Sequence, residues 1–169
     1  MKIAVVGYSG AGKSTLATTL AQYYSIPKLH LDTLQFLPNW KMSERNWMQT
    51  QVNNFLESKE NWVIDGNYSS CYYEERMEQA NQIIFLNFSR WNCLFRAAKR
   101  YSKNKGKVRD SMAEGCPEKF DWEFIRWILH DGRTLAIRKR YKKLQTMYPN
   151  KLIILHNQKE LNDFLAQLL

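Results

Sequence analysis

The chain has 169 residues, 44% hydrophobic and 24% charged, with 25 Lys plus Arg against 16 Asp plus Glu, for a formal net charge of +9. Those values suit one globular domain that needs neither disulfides nor a structural metal, and they exclude a disordered chain. No apolar run approaches the roughly 18 residues of a membrane span, and three scattered cysteines (Cys71, Cys93, Cys116) without a Cys-x-x-Cys pair fit a reducing compartment.

In chain order, Lys2 to Val6 reads as a short apolar strand, too short for a signal peptide, which with the cysteines predicts a cytoplasmic protein. Gly7 to Ser14 is a glycine-rich loop, and Lys13 to about Tyr24 is a helix with Leu16, Ala17, Leu20 and Ala21 on one face. Lys28 to Leu31 is a second strand closing on Asp32, and Pro38 marks a turn. Ser43 is the expected N-cap of a helix reaching about Glu57. Asn61 to Ile64 is a third strand, followed by Asp65-Gly66-Asn67 and a short helix over Tyr73 to Gln79. Gln82 to Leu86 is a fourth strand, and a basic helix runs from about Arg90 to Ser102.

Lys103 to Phe120, with Gly106, Gly115 and Pro117, reads as irregular. Asp121 caps a helix that bends at Asp131-Gly132 and resumes to about Met147. Lys151 to Leu155 is a fifth strand, and Asn157 with Glu160 starts the last helix in capping-box fashion. Strands alternating with helices predict an α/β fold: a three-layer arrangement with a five-stranded parallel sheet flanked by helices. Ligands of such sheets bind beyond the carboxyl ends of the strands. Gly7 to Ser14, Asp32 and Asp65-Gly66-Asn67 should therefore meet on one edge.

The charge is concentrated. Arg90 to Arg109 holds eight basic residues and no acid, and Arg133 to Lys143 holds six and no acid. Without them 11 basic residues face 16 acidic ones, so the excess belongs to two segments of the second half. They are either solvated helix faces or the walls of one positive cleft.

Gly7-Tyr8-Ser9-Gly10-Ala11-Gly12-Lys13-Ser14 matches G-x-x-x-x-G-K-[ST] between a predicted strand and a predicted helix. Its glycines let backbone N–H groups approach phosphate oxygens, and the following helix offers its N-terminal N–H groups to the same anion. Gly7, Ser9, Gly10, Ala11, Gly12, Lys13, Ser14 and Thr15 are the candidate nucleotide ligands. Lys13 can reach the β- and γ-phosphates of ATP, and Ser14 can ligate Mg²⁺. Asp65 is a candidate Mg²⁺ partner through water, or else fixes its turn. Asp32 is a candidate base, Mg²⁺-site partner or helix cap. His30 reads as a packed strand residue rather than an acid or base. No reading beyond turn chemistry is found for Glu114-Gly115-Cys116-Pro117-Glu118.

Arg96 and Arg100 lie four apart after the fourth strand and run into a glycine-containing loop and a helix with Arg133 and Arg138. This resembles the nucleoside-monophosphate-kinase-like family, adenylate kinase included. The resemblance implies that these four arginines surround a transferred phosphoryl group, that about 103–140 forms a lid, and that about 32–60 forms an acceptor-site flap on a single domain spanning 1–169. GYSGAGKSTLA, HLDTLQFLPNW, WVIDGNY and MAEGCPEKFDWEF resemble the adenylate-kinase-related DNA topology modulation proteins. That resemblance implies a small cytoplasmic kinase-like protein, and the family's name implies a role near DNA.

One departure matters for the acceptor. Adenylate kinases carry Asp-Gly-x-Pro-Arg after the third strand, where this chain reads Asp65-Gly66-Asn67-Tyr68-Ser69, leaving Arg76 as the candidate replacement. His30-Leu31-Asp32 is closer to shikimate- and gluconate-type kinases, where the Asp serves the acceptor hydroxyl or Mg²⁺. The expected function is ATP-dependent phosphotransfer to a nucleotide or small hydroxyl-bearing acceptor. Two competing readings are a nucleic-acid-associated ATP-binding protein acting through Lys103, Lys105, Lys107, Lys139 and Lys143, and a loop that binds nucleotide without turnover. No membrane partner is expected.

Overall fold

The computed structural model describes residues 1–168. In chain order the elements are β1 (Lys2–Gly7), α1 (Lys13–Tyr24), β2 (Lys28–His30), α2 (Asp32–Gln35), β3 (Phe36–Leu37), β4 (Lys41–Met42), α3 (Arg45–Ser58), β5 (Trp62–Asp65), α4 (Tyr73–Gln79), β6 (Gln82–Leu86), α5 (Arg90–Asn104), α6 (Trp122–Leu129), α7 (Leu135–Met147), β7 (Leu152–Leu155) and α8 (Gln158–Leu168).

The predicted five-stranded parallel sheet is present, with order β2-β5-β1-β6-β7. β1 is central, pairing Ala4 with Ile64 of β5 and with Ile83 of β6. Ile3 to Val6 and Trp62 to Ile64 are fully buried, so both faces of these strands are covered by helices. That burial is why they read as continuous apolar runs rather than alternating ones. Leu16, Ala17, Leu20 and Ala21 are the buried face of α1, as their spacing predicts. Parallel pairing puts the ends of β1, β2 and β5 at Gly7, His30 and Asp65 on one edge.

The expected caps at Asp121 and Asn157 form: Asp121 accepts from the Phe124 amide at 2.9 Å, and Asn157 from the Glu160 amide at 3.0 Å. Ser43 does not cap. α3 starts two residues later, Glu44 occupies the cap position without a side-chain bond, and the Ser43 hydroxyl is buried without a partner among the described residues. The Ser43 amide is instead drawn to the Gln35 carbonyl at 2.9 Å. That bond closes a two-stranded antiparallel ribbon, β3 with β4, which the sequence reading missed beyond its turn at Pro38. Strands of two residues have no period to detect. The turn holds Asn39 and Trp40 at φ of 63° and 62°, a region that bulky residues seldom occupy.

Candidate nucleotide-phosphate site

The loop between β1 and α1 is shaped by close approach to α5. A Cβ on Gly10, whose φ is 82°, would lie 2.5 Å from the Cys93 carbonyl oxygen, and one on Gly12 would run into the Arg96 guanidinium. No side chain caps α1 and no acid lies in its first turn. The backbone N–H groups of Gly10, Gly12, Lys13, Ser14 and Thr15 have no partner among the described residues. Such a cradle of free donors at the positive end of a helix suits a polyphosphate.

Lys13 donates to the Tyr8 carbonyl at 3.2 Å. Burial holds its ammonium below the ordinary lysine range, while the charges of Asp32 and Asp65 work in the opposite direction. Those carboxylates thus lie around Lys13, as the strand ends require. The Ser14 hydroxyl donates to Asp65 Oδ2 at 2.9 Å, and the other oxygen of Asp65 bonds His30 Nδ1. His30 and Asp65 are 5% and 4% exposed. His30 is the packed strand residue expected, and it also fixes the orientation of Asp65. Ser14 and Asp65 offer the hard oxygen ligands that Mg²⁺ takes, and a cation shared with substrate phosphates and water needs no larger protein cluster.

Two residues of this edge had no role assigned from the sequence, although Asp65-Gly66-Asn67 was expected on it. Asn67 brackets the first glycine of the loop: its Oδ1 accepts from the Gly7 amide at 3.1 Å, and its Nδ2 donates to the Gly7 carbonyl at 2.6 Å. The Tyr68 hydroxyl donates to Asp32 Oδ1 at 2.6 Å. Burial first, and then the Asp32 charge, push the Tyr68 phenol upward, so it remains a donor at any working pH. The only sequence signal for either was their place directly after a strand end.

Arg76 does not replace the missing acceptor arginine. It is fully buried, and its three nitrogens donate inward to the carbonyls of Cys71 (2.9 Å), Gly66 (3.3 Å) and Tyr68 (3.1 Å). It shapes the loop that presents Asn67 and Tyr68.

The four other arginines divide. Arg96 lies on the phosphate loop, donating to the Gly10 carbonyl at 3.3 Å and reaching Gln158 at the start of α8. Arg100 lies within electrostatic reach of Lys13 and Asp32. Arg133 sits behind the loop: its guanidinium carbon is 3.7 Å from the Tyr8 ring centroid, and it donates to the Ile128 and Phe88 carbonyls. Arg138 is exposed, donates to the Arg133 carbonyl at 3.0 Å and lines a surface pocket with Tyr8, but makes no hydrogen bond to the loop among the described residues.

The Glu114–Glu118 motif acquires a structural meaning. Glu118, its side chain only 2% exposed, pairs with Arg100 at 2.7 Å and Arg109 at 2.5 Å. The Gly115 carbonyl accepts from the Asn39 amide at 3.1 Å, the Cys116 thiol donates to the Leu37 carbonyl at 3.2 Å, and Lys119 lies over the Trp40 ring. The 105–121 segment is thereby latched to the β3–β4 ribbon. Glu118→Gln leaves two neighbouring arginines without their shared anion. It should cost about 1–3 kcal/mol in chemical denaturation and speed protease cleavage within 105–121. An unchanged midpoint and cleavage rate would show that the clamp holds nothing.

The fold, a five-stranded parallel sheet flanked by helices, is shared with several solved kinases. The structure resembles shikimate kinase from Bacteroides thetaiotaomicron (18% identity, TM-score 0.51, 99% of this chain and 95% of that one). It also resembles a gluconokinase from Sinorhizobium meliloti 1021 (18%, 0.55, 99% and 89%) and deoxyadenosine kinase from M. mycoides (14%, 0.52, 99% and 98%). No protein-family model matches the chain, and no curated protein matches it. Among the described residues no helix is long and apolar enough to cross a membrane.

Proposed function

We propose that this chain transfers the γ-phosphoryl group of ATP to a hydroxyl of a small acceptor. The observation that carries the reading is Asp65 bonded to the Ser14 hydroxyl beside an uncapped, open phosphate cradle, with Asp32 within electrostatic reach of Lys13. The polyphosphate would lie on the amides of Gly10 and of Gly12 to Thr15, with Lys13 moving from the Tyr8 carbonyl to the β- and γ-phosphates. Mg²⁺, held by Ser14 with Asp65 acting through water, would supply neutralisation of phosphate charge. Tyr68 occupies one oxygen of Asp32 and leaves the other for the acceptor. The acceptor oxygen attacks the γ-phosphorus as Asp32 takes its proton, and the bond from that phosphorus to the bridging oxygen breaks to release ADP. Arg96 and Arg100 would stabilise charge on the equatorial oxygens. Segment 103–140 would serve as lid and 32–60 as acceptor flap, with Arg133 and Arg138 joining only if the lid shifts from the position described.

The acceptor edge favours a hydroxyl-bearing molecule without a phosphate of its own. The stretch that holds an arginine in adenylate kinases turns its one nearby arginine, Arg76, inward onto three carbonyls. Asp32→Asn should leave ATP affinity within about threefold while lowering transfer about 10²–10⁴-fold, read by calorimetric ATP titration beside turnover on a panel of alcohols. Unchanged turnover would remove Asp32 from the chemistry.

A second reading rests on α5, whose exposed face carries Trp91, Phe95, Lys99 and Lys103. Two rings followed along one face by two cations suit single-stranded nucleic acid, and the name of the DNA topology modulation proteins that the sequence resembles implies a role near DNA. Oligonucleotide binding that falls steeply with salt and is lost in Trp91→Ala/Phe95→Ala would support it. No binding at physiological salt would remove it.

A further inference from the structure

A groove of about 540 Å³ opens between α4 and α7 and shares no residue with the phosphate cradle, Asp32 or Asp65. Its two walls differ in charge. Lys139, Arg140 and Lys143 come from α7, and Glu74 and Glu75 from the first turn of α4. Between them lie apolar and aromatic groups, including Tyr72, Met77, Leu144 and Tyr148. The volume falls within the range of small-molecule sites, which typically join an apolar lining to a few convergent polar groups.

The second observation is Tyr73. It lines this groove and is 7% exposed, yet its hydroxyl is buried without a hydrogen-bond partner among the described residues. Buried hydroxyls are nearly always satisfied, by protein, water or ligand. Burial pushes the phenol up to about 12, against the opposing charges of Arg140 and Arg76, so the group is a neutral donor. The cations are available. Lys139 has no anion partner among the described residues, and Lys143 pairs with Glu74 only at the surface, where such pairs hold weakly. Arg140 uses one nitrogen on the Asn67 carbonyl at 3.0 Å, and the ring of Tyr73 lies 5.6 Å from its guanidinium carbon.

We propose that the α4–α7 groove is a second ligand site, for a small organic anion carrying an aromatic ring. The ring would lie among Tyr72, Leu144 and Tyr148, and the anionic end would meet Lys139, Arg140 and Lys143 with the Tyr73 hydroxyl as an added donor. Phosphate and carboxylate share this chemistry, so the probes are phenyl phosphate and benzoate. Inorganic phosphate and phenol are controls that carry only half of the recognition.

The test is a titration of the ¹⁵N-labelled full chain with ADP and Mg²⁺ kept saturating, so that the phosphate cradle is filled. The expected result is a saturable shift of amides in 69–77 and 136–148 by at least one of the two probes. Each control should bind at least about tenfold more weakly, since one 1.4 kcal/mol contribution is missing. Ala136→Trp, which fills the groove from its rim, should abolish the shifts, Lys139→Ala/Lys143→Ala should weaken them about tenfold, and Lys13→Ala should leave them intact. Tyr73→Phe removes no protein bond, so it should fold normally yet bind the probe at least about threefold more weakly. Binding lost in Lys13→Ala, binding retained in Ala136→Trp, undiminished affinity in Tyr73→Phe, or no saturable binding of either probe would each overturn the proposal. None of these outcomes bears on phosphoryl transfer.

Discussion

Lys13→Ala should reduce phosphoryl transfer by about 10²–10³-fold, the scale on which a single preorganised stabiliser of transition-state charge is felt. Lys13 is the cation at the mouth of the cradle, partly stripped of water and facing Asp32 and Asp65. Its removal leaves two carboxylates confronting an incoming polyphosphate, with the backbone amides, Arg96 and Arg100 to attract it. ATP affinity should fall as well. The fold should not suffer, since the one hydrogen bond lost is to the Tyr8 carbonyl, which also accepts from the Ala11 amide. Stopped-flow binding, turnover and a melting curve separate these effects. Normal turnover in a correctly folded variant would mean that Lys13 is not the phosphate-reaching group.

Arg76→Ala should have the opposite profile, a large loss of stability. The guanidinium is wholly enclosed and holds three carbonyls of one loop. Burial lowers it to about 10, which still leaves it charged at neutral pH. Truncation strands those carbonyls and opens a void beside the Tyr73 ring, 5.5 Å from the guanidinium carbon. The expected cost is about 3–5 kcal/mol, a fall in melting temperature of about 10 °C for a chain of this size. Arg76→Lys should recover part of it, because one ammonium cannot reach three carbonyls fixed for a planar fork. A variant that melts like the native chain would return Arg76 to the list of candidate substrate ligands.

The parallel sheet and the glycine-rich loop between β1 and α1 were legible because each rests on local rules. Apolar strands buried on both faces leave continuous runs such as Ile3 to Val6, and the loop's glycines are required within one short motif. Strand ends of a parallel sheet share an edge whatever their sequence separation, so Asp32 and Asp65 were expected beside Lys13 and are found there. Long-range partnerships were not legible. Nothing near Asp32 announces Tyr68, 36 residues away, and nothing in Arg76 distinguishes a ligand arginine from one folded inward onto carbonyls. The Glu114–Glu118 motif had no reading because its partners, Arg100, Arg109 and the ribbon turn at Leu37 to Trp40, are assembled only by the fold.

The basic surplus looks different on the structure. Arg96, Arg100, Arg109, Arg133 and Arg140 are each committed to protein groups around the cradle or its supporting loops. Lys99, Lys103, Lys105, Lys107, Lys139 and Lys142 stay exposed. The arginines therefore belong to the architecture of the site, and the lysines define the outward field.

The most direct measurement follows the phosphoryl group itself. The full chain would be incubated with γ-³²P-labelled ATP and Mg²⁺ against a panel of polyols, hydroxy acids, nucleosides and nucleoside monophosphates, beside Lys13→Ala and Asp32→Asn. The account predicts a labelled phosphomonoester of a phosphate-free hydroxyl compound, formed by the native chain and reduced at least about 10²-fold in both variants. Tight ATP binding with no labelled product from any acceptor, or product formed equally by all three proteins, would contradict it.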